Sequence, residues 1–166
     1  MKKNHLLLLA FLFFCFGSKA QTQDGWYYCT KCSNLYFAGA NGVCAAGGQH
    51  SHEKSSGSYT LSYHTSPCNG QKDWYWCKKC SCLFFGLANA TCKAGGKHST
   101  DSKSDNSYIL CYTKNGAVID ANHQSEWYFC NKCSGLFFGQ TPGVCAGGGT
   151  HFFTSETSGN YVLAHY

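Results

Sequence analysis

The sequence predicts an all-β fold of three pseudo-repeats of short strands, and three observations predict it. A pattern of 36 to 37 residues recurs over 26–61, 74–110 and 127–163, which makes the repeat the first unit of analysis. Aromatic residues make up 16% of the chain and Gly numbers 19, whereas Leu, Ala and Glu are sparse beyond residue 20, a balance that suits strands and turns over helices. After residue 20 no segment carries a 3.6-residue apolar period, while short alternating stretches lie between turn residues.

The elements of the first repeat follow in order. Trp26-Tyr27-Tyr28-Cys29 reads as a short strand, and Cys29-Thr30-Lys31-Cys32 as a turn in which two sulfurs converge. Leu35-Tyr36-Phe37 is a second strand. Asn41-Gly42 turns the chain into Val43-Cys44, and Gly47-Gly48 supplies backbone conformations that side chains forbid. Tyr59, Leu61 and Tyr63 alternate and make a final strand. The other copies read the same way, opening at Trp74 and Trp127 and closing on Tyr108/Leu110 and Tyr161/Leu163. The connectors, 62–73 and 111–126, carry the turn pairs Asn69-Gly70 and Asn115-Gly116. Both are too short and varied to be flexible spacers, which favours repeats that touch.

Inside each repeat sits Cys-x2-Cys-x11-Cys-x5-His with unchanged gaps: Cys29, Cys32, Cys44 and His50; Cys77, Cys80, Cys92 and His98; Cys130, Cys133, Cys145 and His151. Loops ordinarily drift in length because an added residue costs little, so two fixed loops in three copies mean that both ends are pinned. Three sulfurs and one imidazole complete a tetrahedral shell for Zn2+ with no open position, so three structural zinc ions are expected. Disulfides are the competing reading in an exported chain. Three Cys per copy cannot pair within the copy, however, and disulfides leave the fixed offset of the His unexplained. Three Cys stand outside the pattern, Cys68, Cys82 and Cys111, and a Cys82–Cys111 bond is expected, the two being assigned to the second copy and its end.

Export is read from the N-terminus. Lys2 and Lys3 precede the apolar run 6–16, and Ser18-Lys19-Ala20 supplies a cleavage signal. Residues 1–20 are thus a signal peptide, leaving 21–166 as a single three-repeat domain that is secreted, extracellular or periplasmic. Eleven apolar residues are too few to span a bilayer, so no membrane insertion is expected. The chain has no Arg, the preferred residue for phosphate and guanine contacts, which excludes nucleic acid as a natural partner.

Trp26, Trp74 and Trp127 are expected in the core. Trp76 has only Tyr28 and Phe129 as counterparts and is the candidate for a surface platform. Lys31, Lys79 and Lys132 sit inside the Cys-x-Lys-Cys turns and read as solvated charges. His52 and His64 are unrepeated and read as incidental. The acids, such as Asp24, Glu53 and Asp105, do not recur, and neither a nucleophile elbow, a carboxylate pair, a phosphate loop nor HExxH is present. The expected function is therefore a binding module without catalysis, for a glycan or another cell-surface polymer. The alternatives are a small secreted metal-dependent hydrolase and a structural envelope or matrix protein.

Trp-x-x-Cys-x-Lys-Cys-x-x-Leu-Phe-Phe-x-Gly, followed by Gly-Val-Cys-x-Ala-Gly-Gly-x-His and Tyr-x-Leu, resembles a Cys/His-rich tandem repeat of secreted bacterial and fungal proteins. There it stands alone or is appended to secreted hydrolases. The resemblance covers nearly all of 21–166 and implies a secreted accessory module with no established activity. Three copies of about four strands are also the arithmetic of a β-trefoil, a lectin-like closed arrangement that removes exposed edges. The alternative is three tandem zinc-ribbon-like modules, each of which would bury little by itself.

Overall fold

The computed structural model describes residues 22–63, 66, 68–88, 90–100 and 107–166. The expected signal peptide, His64 and Asp105 lie outside the described residues. The first repeat forms β1 (Thr22–Tyr28), β2 (Leu35–Phe37) and β3 (Tyr59–Tyr63). The second forms β4 (Gln71–Trp76), β5 (Leu83–Phe85) and β6 (Tyr108–Tyr112). The third forms β7 (His123–Phe129), β8 (Leu136–Phe138) and β9 (Tyr161–His165). One short 3-10 turn, Thr113–Asn115, follows β6. The expected fourth strand of each repeat shrinks to a single antiparallel bridge, Val43 to Gln49, Thr91 to Lys97 and Val144 to Thr150, because the double-Gly turn reverses the chain at once.

Each repeat builds the same unit. β1 pairs with β2 through Trp26↔Phe37, and with β3 through Trp26↔Tyr59. A register shift interrupts the second pairing between Gln23 and Trp26. Gly25 takes φ +86° in this bulge, and its counterparts Asp73 and Glu126 take +67° and +69°. Side-chain residues are thus held in a left-handed conformation at two of the three bulges, at some cost in local strain.

The repeats join through their last strands. The C-terminal half of β3 pairs with the start of β6, the end of β6 with the start of β9, and the end of β9 with the start of β3. The three strands therefore form a triangle of antiparallel half-strand pairings, and all nine strands belong to one sheet. The result is the closed threefold arrangement, not three separate beads.

Strand alternation divides the interior into two layers. Trp26, Trp74 and Trp127 are fully buried with Leu35, Leu83 and Leu136, and with the Tyr-x-Leu residues of β3, β6 and β9. Each Trp meets a Tyr of another repeat edge-on: Trp26 and Tyr108 at 5.2 Å, Trp74 and Tyr161 at 5.1 Å, Trp127 and Tyr59 at 5.1 Å. The same tyrosine hydroxyls donate across repeats, Tyr59 to Gln124, Tyr108 to Gln23 and Tyr161 to Gln71. The opposite face of each strand pair, Tyr36, Phe84 and Phe137, packs among the cysteines.

Trp76 is not a surface platform. It is half-buried, its indole nitrogen is enclosed, and its ring lies edge-on to Phe37 of the first repeat at 6.2 Å. Phe129 makes the equivalent contact with Phe85 at 5.8 Å, and Tyr28 with Phe138 at 5.9 Å. These positions differ in sequence because each fits a different neighbouring repeat. The disulfide also differs from expectation: Cys68 bonds Cys111, with their Cα atoms 5.9 Å apart. Cys82 instead packs in the metal layer, away from the connectors, and stays a buried thiol. The connectors are further tied by Asn115 Nδ2, which donates to the Asn69 carbonyl at 2.7 Å.

Because the tryptophans serve one shared core, Trp127→Ala is expected to cost about 3–5 kcal/mol. It should lower the melting temperature of the whole chain in a single transition. Calorimetry showing one repeat melting early, with the other two unchanged, would contradict the shared core.

Candidate metal centres

Each Cys-x-Lys-Cys turn is a tight knuckle. Cys29 N–H donates to the Asn34 carbonyl at 3.0 Å and Ser33 N–H to the Cys29 carbonyl at 2.8 Å, with Ser33 at φ +62°. Ser81 and Ser134 repeat this conformation at +60° and +61°. The third Cys begins a second turn: Cys44 N–H donates to the Gly48 carbonyl at 2.8 Å, and Gly47 N–H to the Cys44 carbonyl at 2.9 Å. Gly47 and Gly48 have φ of +96° and +64°, which explains the double Gly. The chain then delivers His50 back to the knuckle.

All twelve residues singled out from spacing come together as three groups of four, with the ligand atoms of each group within 4.8 Å of one another. Cys29 and Cys44 sulfurs are 3.8 Å apart, Cys77 and Cys92 3.9 Å, Cys130 and Cys145 3.7 Å. The Nδ1 atoms of His50, His98 and His151 lie 3.6, 3.5 and 3.5 Å from the sulfurs of Cys32, Cys80 and Cys133. A tetrahedral ion with Zn–S near 2.3 Å and Zn–N near 2.05 Å requires about 3.8 Å between sulfurs and about 3.6 Å between sulfur and nitrogen. The clusters thus have the dimensions of three structural zinc sites.

The surroundings suit a cation. Hydrogen bonds from Cys32 and Cys44 hold the Cys29 thiol far below its ordinary pKa, and the same arrangement lowers Cys77 and Cys130. Burial pulls each imidazole down, but hydrogen bonds to the sulfurs outweigh it and raise His50, His98 and His151 to about 9. Thiolate and imidazolium are thus the metal-free partners. Zinc replaces the imidazolium proton, so metal binding releases protons.

Second contacts orient the ligands. Each imidazole stacks on the aromatic residue of the second strand of its own repeat: His50 on Tyr36 at 4.5 Å, His98 on Phe84 at 4.6 Å, His151 on Phe137 at 4.7 Å. Each Nε2–H donates to a backbone carbonyl of another repeat: His50 to Cys80 at 2.8 Å, His98 to Cys133 at 2.8 Å, His151 to Cys32 at 3.0 Å. The shared lysines, whose bonds are exposed to solvent as the reading as solvated charges expects, are engaged too. Lys31, Lys79 and Lys132 each place Nζ 2.6 Å from the carbonyl oxygens of Gly47, Gly95 and Gly148. Their signal in the sequence was their invariance within the knuckle. His52 is also employed, stacking on Tyr27 at 3.9 Å and bonding to Tyr36. Phe153 fills the equivalent place on Tyr128 at 3.8 Å. Matching His52 to Phe153 needed the aromatic ring, not the imidazole, as the common property.

Compared with known proteins, the chain matches no protein-family model, no curated protein and no solved structure.

Elemental analysis of protein purified without chelator is expected to give three zinc ions per chain. His98→Ala should give two and lower the melting temperature of the whole chain, since it removes a ligand and an inter-repeat bond together. Near-zero zinc in the parent protein, or a purely local loss in the variant, would contradict these sites.

Because the neighbouring sulfurs raise each metal-free imidazole to about 9, protons compete with zinc below that pH. Apparent zinc affinity should therefore fall steadily as pH is lowered from 9, measured by competition with a chromogenic chelator. A flat profile would contradict ligation by groups that must give up protons, the imidazoles and the raised thiols of Cys32, Cys80 and Cys133.

Proposed function

We propose that the protein is a secreted, zinc-stabilised binding module that recognises glycans or another cell-surface polymer and performs no chemistry of its own. The observation that carries this reading is a pair of clefts between repeats that share a tyrosine bonded to a glutamine and differ in their other aromatic walls. One, of about 530 Å3, lies between the second and third repeats and is lined by Gln71, Tyr112, Lys114, Tyr128, Phe153 and Glu156, among others. The other, of about 300 Å3, lies between the third and first and is lined by Tyr28, Tyr59, Gln124, Phe138 and His165, among others. Half-buried aromatic rings beside fixed amide and hydroxyl groups are what a sugar ring needs, an apolar face to lie on and polar groups for its hydroxyls.

The metal centres support a structural role. Each has a full set of four protein ligands, three of them thiolates, which leaves no position for an activated water. The described lining of the larger cleft includes one carboxylate, Glu156, and that of the smaller includes none, so neither supplies a general acid–base pair. For localisation, the N-terminal segment 1–20 supports export. No helix among the described residues is long and apolar enough to cross a membrane.

Zinc-loaded protein passed over immobilised polysaccharides should be retained on at least one, with no reducing sugar released. Glu156→Gln tests the alternative, because it removes the one carboxylate in the described lining of the larger cleft. Hydrolysis that disappears in Glu156→Gln would establish the hydrolase alternative, and absence of retention on every polymer would favour a structural role.

A further inference from the structure

The three repeats match closely at the metal centres and diverge at the clefts, and the divergence bears on valency. Every cleft has the same frame: a buried tyrosine from the start of one closing strand, bonded to a glutamine of another repeat, with a third side chain from a neighbouring closing strand over it. That third side chain is Tyr112 over Tyr161, His165 over Tyr59, and Tyr63 over Tyr108. The three adopt different poses. Tyr112 stands edge-on to Tyr161, centroids 6.0 Å apart at 74°. His165 tilts onto Tyr59 at 4.9 Å and 42°, and its Nε2–H reaches across to the Ser56 carbonyl at 3.0 Å. Tyr63 lies nearly flat on Tyr108 at 4.6 Å and 29°, with the two hydroxyls 3.0 Å apart.

Ser158, the counterpart of Ser56, makes no such bridge. Its hydroxyl serves nearby backbone, accepting from Phe129 N–H at 2.8 Å and donating to the Gly159 carbonyl at 3.0 Å. The cleft between the second and third repeats has about 530 Å3, and that between the third and first about 300 Å3. Its polar walls are fixed before any ligand arrives. Gln71 is held by Tyr161, Asn160 accepts from Glu126 N–H at 2.6 Å, and Thr157 donates to Asn131 at 2.8 Å. Little ordering entropy then remains to be lost on binding. Its two charges are opposite, Lys114 and Glu156, and its other lining groups are uncharged.

We infer that the cleft between the second and third repeats is the working ligand site, that His165 and Tyr63, lying closer over their tyrosines, disfavour the related positions, and that the site takes an uncharged pyranose chain at one ligand per protein. The inference rests on the glycan-binding reading above and assigns it a single site. A neutral ligand follows from the balance of Lys114 and Glu156: a polyanion would face the carboxylate and a polycation the ammonium, each next to the same rings.

The test is calorimetric titration of the zinc-loaded full chain with hexasaccharides of glucose, xylose, mannose and N-acetylglucosamine, and with oligogalacturonate as the anionic probe. A stoichiometry of one is expected with a neutral hexasaccharide. Tyr112→Ala should weaken it at least about fivefold, the scale of one lost aromatic contact. Tyr63→Ala should leave it within about twofold, because Tyr63 packs on Tyr108 and is not in the lining of this cleft. Zinc content and melting temperature check that each variant is folded, and Lys114→Glu, at an exposed position, is a second variant expected to weaken binding. A stoichiometry of three, equal losses in Tyr112→Ala and Tyr63→Ala, or binding of oligogalacturonate alone would overturn the single neutral site while leaving the binding-module reading intact. No binding of any saccharide would overturn both the single site and the glycan reading.

Discussion

The structure depends on one hydrogen bond made three times. Each metal-ligating imidazole uses Nδ1 toward its own cluster and Nε2–H toward the second knuckle cysteine of another repeat, in the cycle His50 to Cys80, His98 to Cys133 and His151 to Cys32. The carbonyl fixes the tautomer that leaves Nδ1 free to ligate, and ligation fixes the ring plane that lets Nε2 reach the carbonyl. Metal binding and assembly of the repeats are therefore the same event seen from two sides. Around this cycle run backbone bonds with the same cyclic sense: Phe37 N–H to the Ser81 carbonyl, Phe85 to Ser134, and Phe138 to Ser33.

That coupling explains how a chain with few aliphatic residues sustains a fold of this size. A repeat of 36 or 37 residues buries too little to stand by itself. Each central strand of three residues divides its side chains between two tasks. In Leu35-Tyr36-Phe37 the leucine and phenylalanine serve the tryptophan core, while the tyrosine backs the metal-bound imidazole. The metal layer and the aromatic core are thus stitched through the same short strands, and strain in one is felt in the other.

The ligands, the strands and the repeat boundaries were legible in the sequence because each is a local pattern: fixed spacing for the clusters, alternation for the strands, Gly-Gly for the turn. Closure was legible only as arithmetic. The contacts that produce it join residues such as Trp74 and Tyr161, whose pairing no local pattern encodes. Trp76 misled because a residue that breaks the repeat can do so to fit a different neighbour as well as to meet a ligand. The lysine bonds to Gly47, Gly95 and Gly148 went unread because a carbonyl partner leaves no mark in the sequence, and the Cys68–Cys111 bond because sequence proximity to a repeat is not spatial proximity. The clefts were missed altogether, since they form only where two repeats meet.

The triangle of β3, β6 and β9 has a consequence for how such a chain can change in length. In a stacked solenoid each unit touches only its neighbours, and units can be gained or lost one at a time. Here each closing strand is spent in two halves, one on each of the other two repeats. Two copies would leave half-strands unpaired, and a fourth would find no open edge to join. Copy number is thereby locked by geometry, and a lineage carrying this fold can diversify its connectors and cleft residues but cannot grow by simple duplication of one repeat.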